Sequence, residues 1–266
     1  MRRWWPVVAL AGAVATPALA QDAGVRFCPN RPSLGASGCT TRPGQVQVEI
    51  AGADWQREDD ETTREDLINS EVDLRIGVSP HSEVQLGWVP AGTLRSRDRT
   101  TGEVTRTSGI GDVTLGWRRA ISHPDGEKLS AAIQPYVTLP TGHGEIGAGD
   151  WSGGAVLPVF WQIDDTWSLD FTGQMAAAVD EDRRGRHFDA TGVVGVGYAV
   201  SEAVTANAEL SVERDQDPAE HVVRTLAAAS VAWRPTKRTQ LDVIAVAGLN
   251  HAAPDARVAL GGALLF

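Results

Sequence analysis

The residues best suited to chemistry in this chain are its histidines and its many carboxylates. The histidines all fall in expected turns, loops or strand ends, at His81, His123, His143, His187, His221 and His251. A nucleophilic hydrolase needs a histidine beside a serine or another nucleophile, and no Ser–His spacing singles out such a pair. We therefore expect no catalytic residue and no enzymatic activity, because the sequence does not fill the required roles.

Glycine-rich and acidic segments give weaker signals. Gly109-Ile110-Gly111 resembles the start of a dinucleotide-binding loop, but no third glycine follows at the required spacing. We expect no cofactor. The acidic runs Asp59-Asp60-Glu61 and Asp180-Glu181-Asp182 carry oxygen ligands that suit Ca²⁺. Solvated loop charge is the commoner explanation for such runs, and we expect no metal.

Export is indicated by the first twenty residues. Arg2 and Arg3 precede an apolar run, and Ala18-Leu19-Ala20 is a small-x-small cleavage site. This three-part pattern predicts a secretory signal peptide that is cleaved after Ala20. The alternative, a membrane-spanning helix, is less favoured because Pro6 and Pro17 bracket a run that is short for spanning a bilayer.

The two cysteines lie in a segment rich in Pro, Gly and Ser. Two thiols without a nearby histidine are too few ligands for a metal site. An exported chain meets an oxidising compartment, which favours a disulfide between Cys28 and Cys39. We expect residues 21–44 to form a periplasmic segment, with the disulfide loop stapled ahead of the folded domain.

The charge balance limits the partners. The chain of 266 residues has a net charge of −10, and loss of Arg2 and Arg3 with the signal peptide makes it more negative. A strongly acidic chain disfavours nucleic acid and an anionic membrane surface as partners.

From Gln45 onward, apolar and polar residues alternate with a period of two, which predicts β-strands with one apolar face. In the clearest segment, Trp167, Leu169 and Phe171 share one face, and Asp170 and Thr172 share the other. That segment is long enough to cross a bilayer at a tilt. Twelve strands are expected, at 45–50, 68–76, 83–88, 112–121, 129–139, 151–163, 167–180, 188–198, 204–213, 223–233, 240–249 and 257–266.

The connections and aromatic residues indicate a membrane protein. Connections after even-numbered strands are short, whereas most of those after odd-numbered strands are longer and polar, as in transmembrane barrels. Six aromatics fall at the short-turn end, where an interfacial girdle is expected: Trp117, Trp161, Trp167, Tyr198, Trp233 and Phe266. The sequence therefore predicts an all-β, antiparallel, twelve-stranded transmembrane barrel over residues 45–266. We expect it in the outer membrane of a Gram-negative bacterium, with outer-membrane lipid and the barrel assembly machinery as partners.

The face opposite the apolar one carries the candidate functional residues, because charges that line a barrel can set selectivity. The expected lumen-lining residues are Glu49, Glu71, Asp73, Arg75, Glu83, Asp112, Arg118, Asp170, Asp189, Glu209, Glu213, Arg224, Asp242 and Arg257. Two alternatives stay open: these charges line a pore, or they pair with one another and plug it. If the lumen is open, the acidic excess predicts a preference for cations.

Several segments resemble a known family. Ser108–Gly116 reads SGIGDVTLG and Tyr136–Gly142 reads YVTLPTG, followed by Gly147–Asp150 and the strand Trp167–Phe171. In order and spacing they resemble the outer-membrane family described as the MetA-pathway of phenol degradation. The resemblance implies a transporter that passes small, hydrophobic or aromatic compounds by diffusion. The alternatives are a structural or ligand-binding barrel without transport, and a barrel hydrolase that acts on lipid.

Overall fold

The computed structural model describes residues 24–143 and 146–266. The signal peptide that we predict at residues 1–20 lies outside these described residues. None of the described residues belongs to a helix long and apolar enough to span a membrane.

The described residues form thirteen strands. Their bounds are β1 Val46–Asp59, β2 Thr63–Ser79, β3 Ser82–Asp98, β4 Val104–Gly109, β5 Val113–Ser122, β6 Leu129–Leu139, β7 Ser152–Gln162, β8 Trp167–Val179, β9 Arg186–Ser201, β10 Val204–Gln216, β11 His221–Thr236, β12 Thr239–Gly248 and β13 Ala256–Leu265.

The sheet closes on itself to form a barrel. Every pairing between strands is antiparallel, and β1 pairs with both β2 and β13. β4 and β5 both pair with β3, β4 with Gly92–Arg97 and β5 with Ser82–Trp88. These two strands therefore share one position in the wall, interrupted at residues 110–112. The result is a closed barrel of twelve strand positions plus one extra strand, which confirms the predicted fold class.

The strands extend further at the long-loop end than the sequence suggested. We expected a loop from Leu94 to Thr107, but β3 continues to Asp98 and β4 begins at Val104. The hairpin is polar on both faces, so it lacks the apolar alternation by which the other strands are recognised. Its pairing is carried by the backbone ladder instead.

The outer wall is apolar. Along β12, Leu241, Val243 and Ala245 are exposed, whereas the alternate residues Gln240 and Asp242 are buried. A continuous belt of exposed large apolar side chains is a liability in water but suits contact with lipid.

Aromatic residues mark the short-turn end of this belt. The rings of Trp167 and Tyr198 pack with their centroids 4.8 Å apart, and both side chains are exposed. Arg119 lies on the same outer face near a short turn, where its Nη1 donates to Ser82 Oγ at 3.3 Å. A long side chain at this level can reach the interface while its stem contacts lipid.

A charged side chain should therefore be costly at the middle of the outer wall. Val243→Arg is expected to lower the free energy of unfolding by about 2–4 kcal/mol, and Leu241→Arg, nearer the short turn, by about 0–1 kcal/mol. Urea titration of the protein folded into lipid vesicles would measure both values. Equal costs at the two positions would contradict a lipid-facing wall.

Candidate permeation pathway

A buried charge cluster lies on the inward faces of β1, β2 and β3. Arg75 of β2 is fully buried and lies between two carboxylates. Its Nη1 is 3.1 Å from Glu49 Oε1, and its Nη2 is 2.8 Å from Glu83 Oε1. The strand register produces this arrangement, because Arg75 is opposite Gln47 on β1 and Gln85 on β3. Such partners offset the cost of removing a guanidinium from bulk water.

Arg118 of β5 extends this cluster along the wall. The register places it opposite Glu83, and its Nη1 lies 3.7 Å from Glu83 Oε1. Its Nε donates to Gln134 Oε1 at 2.8 Å. Its Nη1 also donates to the carbonyl of Ser37 at 3.1 Å. Arg118 therefore connects the wall to the N-terminal segment.

The N-terminal segment, residues 24–44, runs through the lumen beside the charge cluster. Cys28 and Cys39 form a disulfide, and both are buried. Arg75 donates from Nη1 to the carbonyl of Cys28 and, at 3.2 Å, from Nη2 to the carbonyl of Cys39. One wall arginine therefore holds both ends of the disulfide loop.

Wall side chains also bind the backbone N–H groups of this segment. The Glu49 carboxylate accepts from the N–H of Asn30 at 2.9 Å and of Arg31 at 3.0 Å. Gln47 Oε1 accepts from the N–H of Cys28 at 3.1 Å. An irregular segment has no ladder for its peptide groups, so these polar side chains supply the partners that burial demands.

Strands across the lumen hold the same segment from the other side. Glu209 of β10 accepts from the N–H of Leu34 at 3.1 Å. Thr172 of β8 accepts through Oγ1 from the N–H of Ala36 at 3.0 Å. Because its partners lie on both sides of the barrel, the segment spans the lumen.

These contacts correct the expectation that the disulfide loop stands ahead of the barrel. It lies inside the lumen. The physical reason is that buried charges of the wall need hydrogen-bonding partners, and so do the buried peptide groups of the segment. Each supplies the partners that the other lacks. We call residues 26–41 the plug.

The plug separates two cavities. A cavity of about 450 Å³ opens beside the short turns, with Asp125, Asp165 and Glu202 in its lining. A second cavity of about 380 Å³ lies towards the long loops. The stretch Asn30–Ser33 lines both of them, so this part of the plug forms the partition between the two compartments.

The predicted lumen residues are distributed over these features. Glu49, Arg75, Glu83 and Arg118 form the buried cluster, Asp170 and Glu209 line the larger cavity, and Glu71, Asp73, Asp112 and Arg257 line the smaller one. Asp242 pairs with Arg31 of the plug at 2.9 Å, Arg224 pairs with Glu213 at 2.6 Å, and Asp189 lies opposite Asp215 in the register of β9 and β10.

The sequence reasoning missed Asp54, which pairs with Arg257 through an Nε–Oδ1 contact of 2.8 Å. Strict alternation from Gln47 places Asp54 on the outer face. The register of β1 shifts between Ala51 and Ala53, and such a bulge moves the following side chains to the other face. The intervening Gly52 is the one sequence signal that could have indicated the shift.

The two segments that carry the family resemblance meet in space. Asp112 accepts from the N–H of Gly142 at 2.7 Å through Oδ1 and from the N–H of Gly149 at 3.1 Å through Oδ2. A Cβ on Gly142 would lie 2.8 Å from the carbonyl carbon of Gly111, closer than real Cβ atoms approach. The loop after β6 is therefore locked to the start of β5 by an aspartate and by close backbone contact.

A second polar cluster ties two of the long loops together. His187 Nδ1 lies 3.0 Å from Asp180 Oδ1 and 3.3 Å from Asp217 Oδ2, and its Nε2 lies 3.0 Å from Asp215 Oδ1. The N–H of Ala219 donates to Asp217 and holds the pKa of that carboxyl below its usual value. Asp180, His187 and Asp217 have ligand atoms close enough to share a metal ion. An ion-pair network between the loops explains the same geometry.

The closed wall, apolar outside and charged inside, with short turns at one end and longer loops at the other, defines an outer-membrane type of transmembrane β-barrel. The chain belongs to the family described as "Putative MetA-pathway of phenol degradation", whose model matches residues 29–266. No curated protein sequence matches the chain.

Solved structures share the fold. The COG4313 outer membrane channel from Pseudomonas putida F1 superimposes with a TM-score of 0.69 at 15% identity, covering 86% of this chain and 97% of that one. A NanC porin gives a TM-score of 0.51 at 10% identity, covering 82% and 98%. The transport unit of the autotransporter AIDA-I from Escherichia coli gives 0.51 at 10% identity, covering 84% and 90%. At these identities the likeness establishes the fold.

Proposed function

We propose that this protein is an outer-membrane channel for small molecules and that the plug is its gate. The observation that carries the proposal is the pair of cavities in one lumen, divided by a segment that is not part of the wall. Passage then requires the plug to move and the wall to stay intact. The wall is closed by backbone pairing on every side, so displacement of the plug leaves the barrel folded.

The lining of the cavities supports a preference for cations. Nine carboxylates and four arginines line the two cavities, and Arg118 is already engaged with a carboxylate and with the plug. An excess of fixed negative charge along a narrow pathway attracts cations and excludes anions.

Aromatic compounds are the class of cargo to test first. The larger cavity has Phe27 and Phe160 in its lining, and the smaller cavity has Val156 and Ile244. Apolar and aromatic surface among fixed charges suits a small organic molecule with an apolar body. The family description refers to phenol degradation, and the fold resembles that of an outer membrane channel.

Two permanently charged aromatic probes test this proposal. Vesicles that contain the full chain are expected to take up benzyltrimethylammonium faster than benzenesulfonate, because the acidic lining favours the cation. Neither ion crosses plain lipid readily, so vesicles without protein supply the baseline. Faster uptake of benzenesulfonate would contradict the charge argument.

The plug also favours a second candidate, a ligand-binding barrel without transport. A lumen that the plug divides by contacts on both sides provides two separate cavities, in either of which a small molecule could be retained. Binding of an aromatic probe to the folded protein with no uptake into vesicles above the baseline would favour this candidate.

Two further features belong to the same proposal. Residues 1–20 act as a signal peptide that is cleaved after Ala20, and the barrel assembly machinery inserts the chain into the outer membrane. The order of basic, apolar and small residues supports the first, and the closed antiparallel wall with its exposed apolar belt supports the second. The proposed role is not enzymatic.

A further inference from the structure

Five arginines project from the outer wall beside the long loops. Paired residues of an antiparallel sheet share a face, and these arginines share theirs with the lipid-facing residues of β1 to β3. One row of the register runs Arg57, Asp66, Arg95, Arg106, and the next runs Asp59, Arg64, Arg97. We call the five the arginine face: Arg57, Arg64, Arg95, Arg97 and Arg106.

One carboxylate, Asp66, lies among three of these arginines. Its oxygens are 2.9 Å from Arg57 Nη2, 3.5 Å from Arg95 Nη1 and 3.7 Å from Arg64 Nε. The Arg64 Nε is buried without a hydrogen-bond partner in the described part of the chain. The other two arginines of the face, Arg97 and Arg106, have no ion-pair partner among the described residues. The face is therefore strongly positive, although the chain has a net charge of −10.

The arginine face stands directly above the lipid-facing belt. The row below contains Val258, Trp55 and Ile68, and Ile68 is 54% exposed. Arg57 stacks on Trp55, with its Cζ 4.8 Å from the ring centroid, and tryptophan is typical of the membrane interface. One row corresponds to two residues, about 7 Å along a strand. The guanidinium groups therefore reach the level of lipid phosphates.

We propose that the arginine face binds the phosphates of an anionic glycolipid in the outer leaflet. Guanidinium groups bind phosphate oxygens in a bidentate manner, and five of them beside Asp66 leave positive charge that a lipid phosphate neutralises. The net charge of the chain disfavours an anionic surface, but the local charge of this face favours one. The inference depends on the outer-membrane placement of the barrel and not on transport.

Titration of the detergent-solubilised full chain with diphosphoryl lipid A, followed by native mass spectrometry, tests the proposal. The wild type is expected to bind diphosphoryl lipid A more tightly than monophosphoryl lipid A. The double variant Arg97→Gln/Arg106→Gln should weaken binding roughly ten- to thirtyfold, since each arginine near a lipid surface contributes about 1 kcal/mol. These two positions are chosen because their loss leaves no carboxylate without its partner.

Arg184→Gln/Arg238→Gln is the matched control, because it removes the same charge from an outer loop and from a short turn. It should bind lipid A as the wild type does. Arg106→Gln alone is the second variant if the double variant does not fold, because β4 pairs with β3 alone among the described strands. Undiminished binding by the arginine-face variants would overturn the proposal. Displacement of lipid A by millimolar inorganic phosphate would overturn it as well, because the site would then be one for free phosphate. If the protein binds lipid A but vesicles that contain it do not take up the aromatic probes, the channel proposal is contradicted and the lipid-binding proposal stands.

Discussion

Deleting residues 26–40, all of the plug except Thr41, is expected to convert the barrel into an open, cation-selective pore. The partition between the two cavities belongs to the plug, so its removal joins them into one water-filled path. The wall keeps its twelve paired positions. Arg75 keeps Glu49 and Glu83 as partners. Asp242 loses Arg31, but water that replaces the plug then solvates its carboxylate.

Planar-bilayer recording measures this effect. The wild type should be mostly closed, and the deletion variant should show long-lived, well-resolved conductance steps with a reversal potential on the cation side. Heat-modifiable migration in gels checks that both proteins are folded. If the deletion leaves the conductance at the wild-type level, wall side chains close the lumen and the gating proposal fails.

A variant with Cys28→Ser and Cys39→Ser tests the contribution of the disulfide separately from that of the rest of the plug. It keeps the residues that contact the wall but loses the closed loop, which stabilises the ordered plug by about 3 kcal/mol for a loop of this size. Brief openings are expected, intermediate between the wild type and the deletion variant. Wild-type protein treated with a reductant should behave in the same way.

The fold was accessible from the sequence because the bilayer imposes a simple rule. Each spanning strand must place apolar residues on one side, and the period of two records this directly. Strand β12 shows it clearly, with Leu241 and Val243 outside and Gln240 and Asp242 inside. Where both faces of a strand are polar, as in β4, the pattern gives no signal, and the strand was missed.

The plug could not be predicted in the same way. Residues 24–44 have no periodicity, and their position depends on long-range contacts such as those of Asn30 with Glu49 and of Leu34 with Glu209. Those carboxylates were predicted to face inward, but a single sequence does not indicate what they face. Asp54 was missed for a different reason, since one inserted residue in β1 reverses the face of all that follow.

Arg75→Met is the substitution with the largest expected effect on stability. The fully buried guanidinium lies between Glu49 and Glu83, and its loss leaves Glu49 without a cation and Glu83 with the more distant Arg118. Removing one partner of a buried ion pair costs about 3–5 kcal/mol. Arg224→Gln is the control, because it breaks a partly exposed pair with Glu213 and should cost at most about 1 kcal/mol. Urea titration in lipid vesicles gives both values.

The stability lost in Arg75→Met should return when the carboxylates are neutralised as well. In the triple variant Arg75→Met/Glu49→Gln/Glu83→Gln no wall carboxylate is left without its partner. Arg118 loses Glu83 but keeps its hydrogen bonds to Gln134 and to the plug, so much of the unfolding free energy is recovered. The plug nevertheless remains loose, because the donors to the carbonyls of Cys28 and Cys39 are gone. A triple variant that is stable and conducts more than the wild type would separate the two roles of Arg75, as a charge partner within the wall and as the anchor of the plug. A stable triple variant that stays closed would show that Arg75 acts only on the wall.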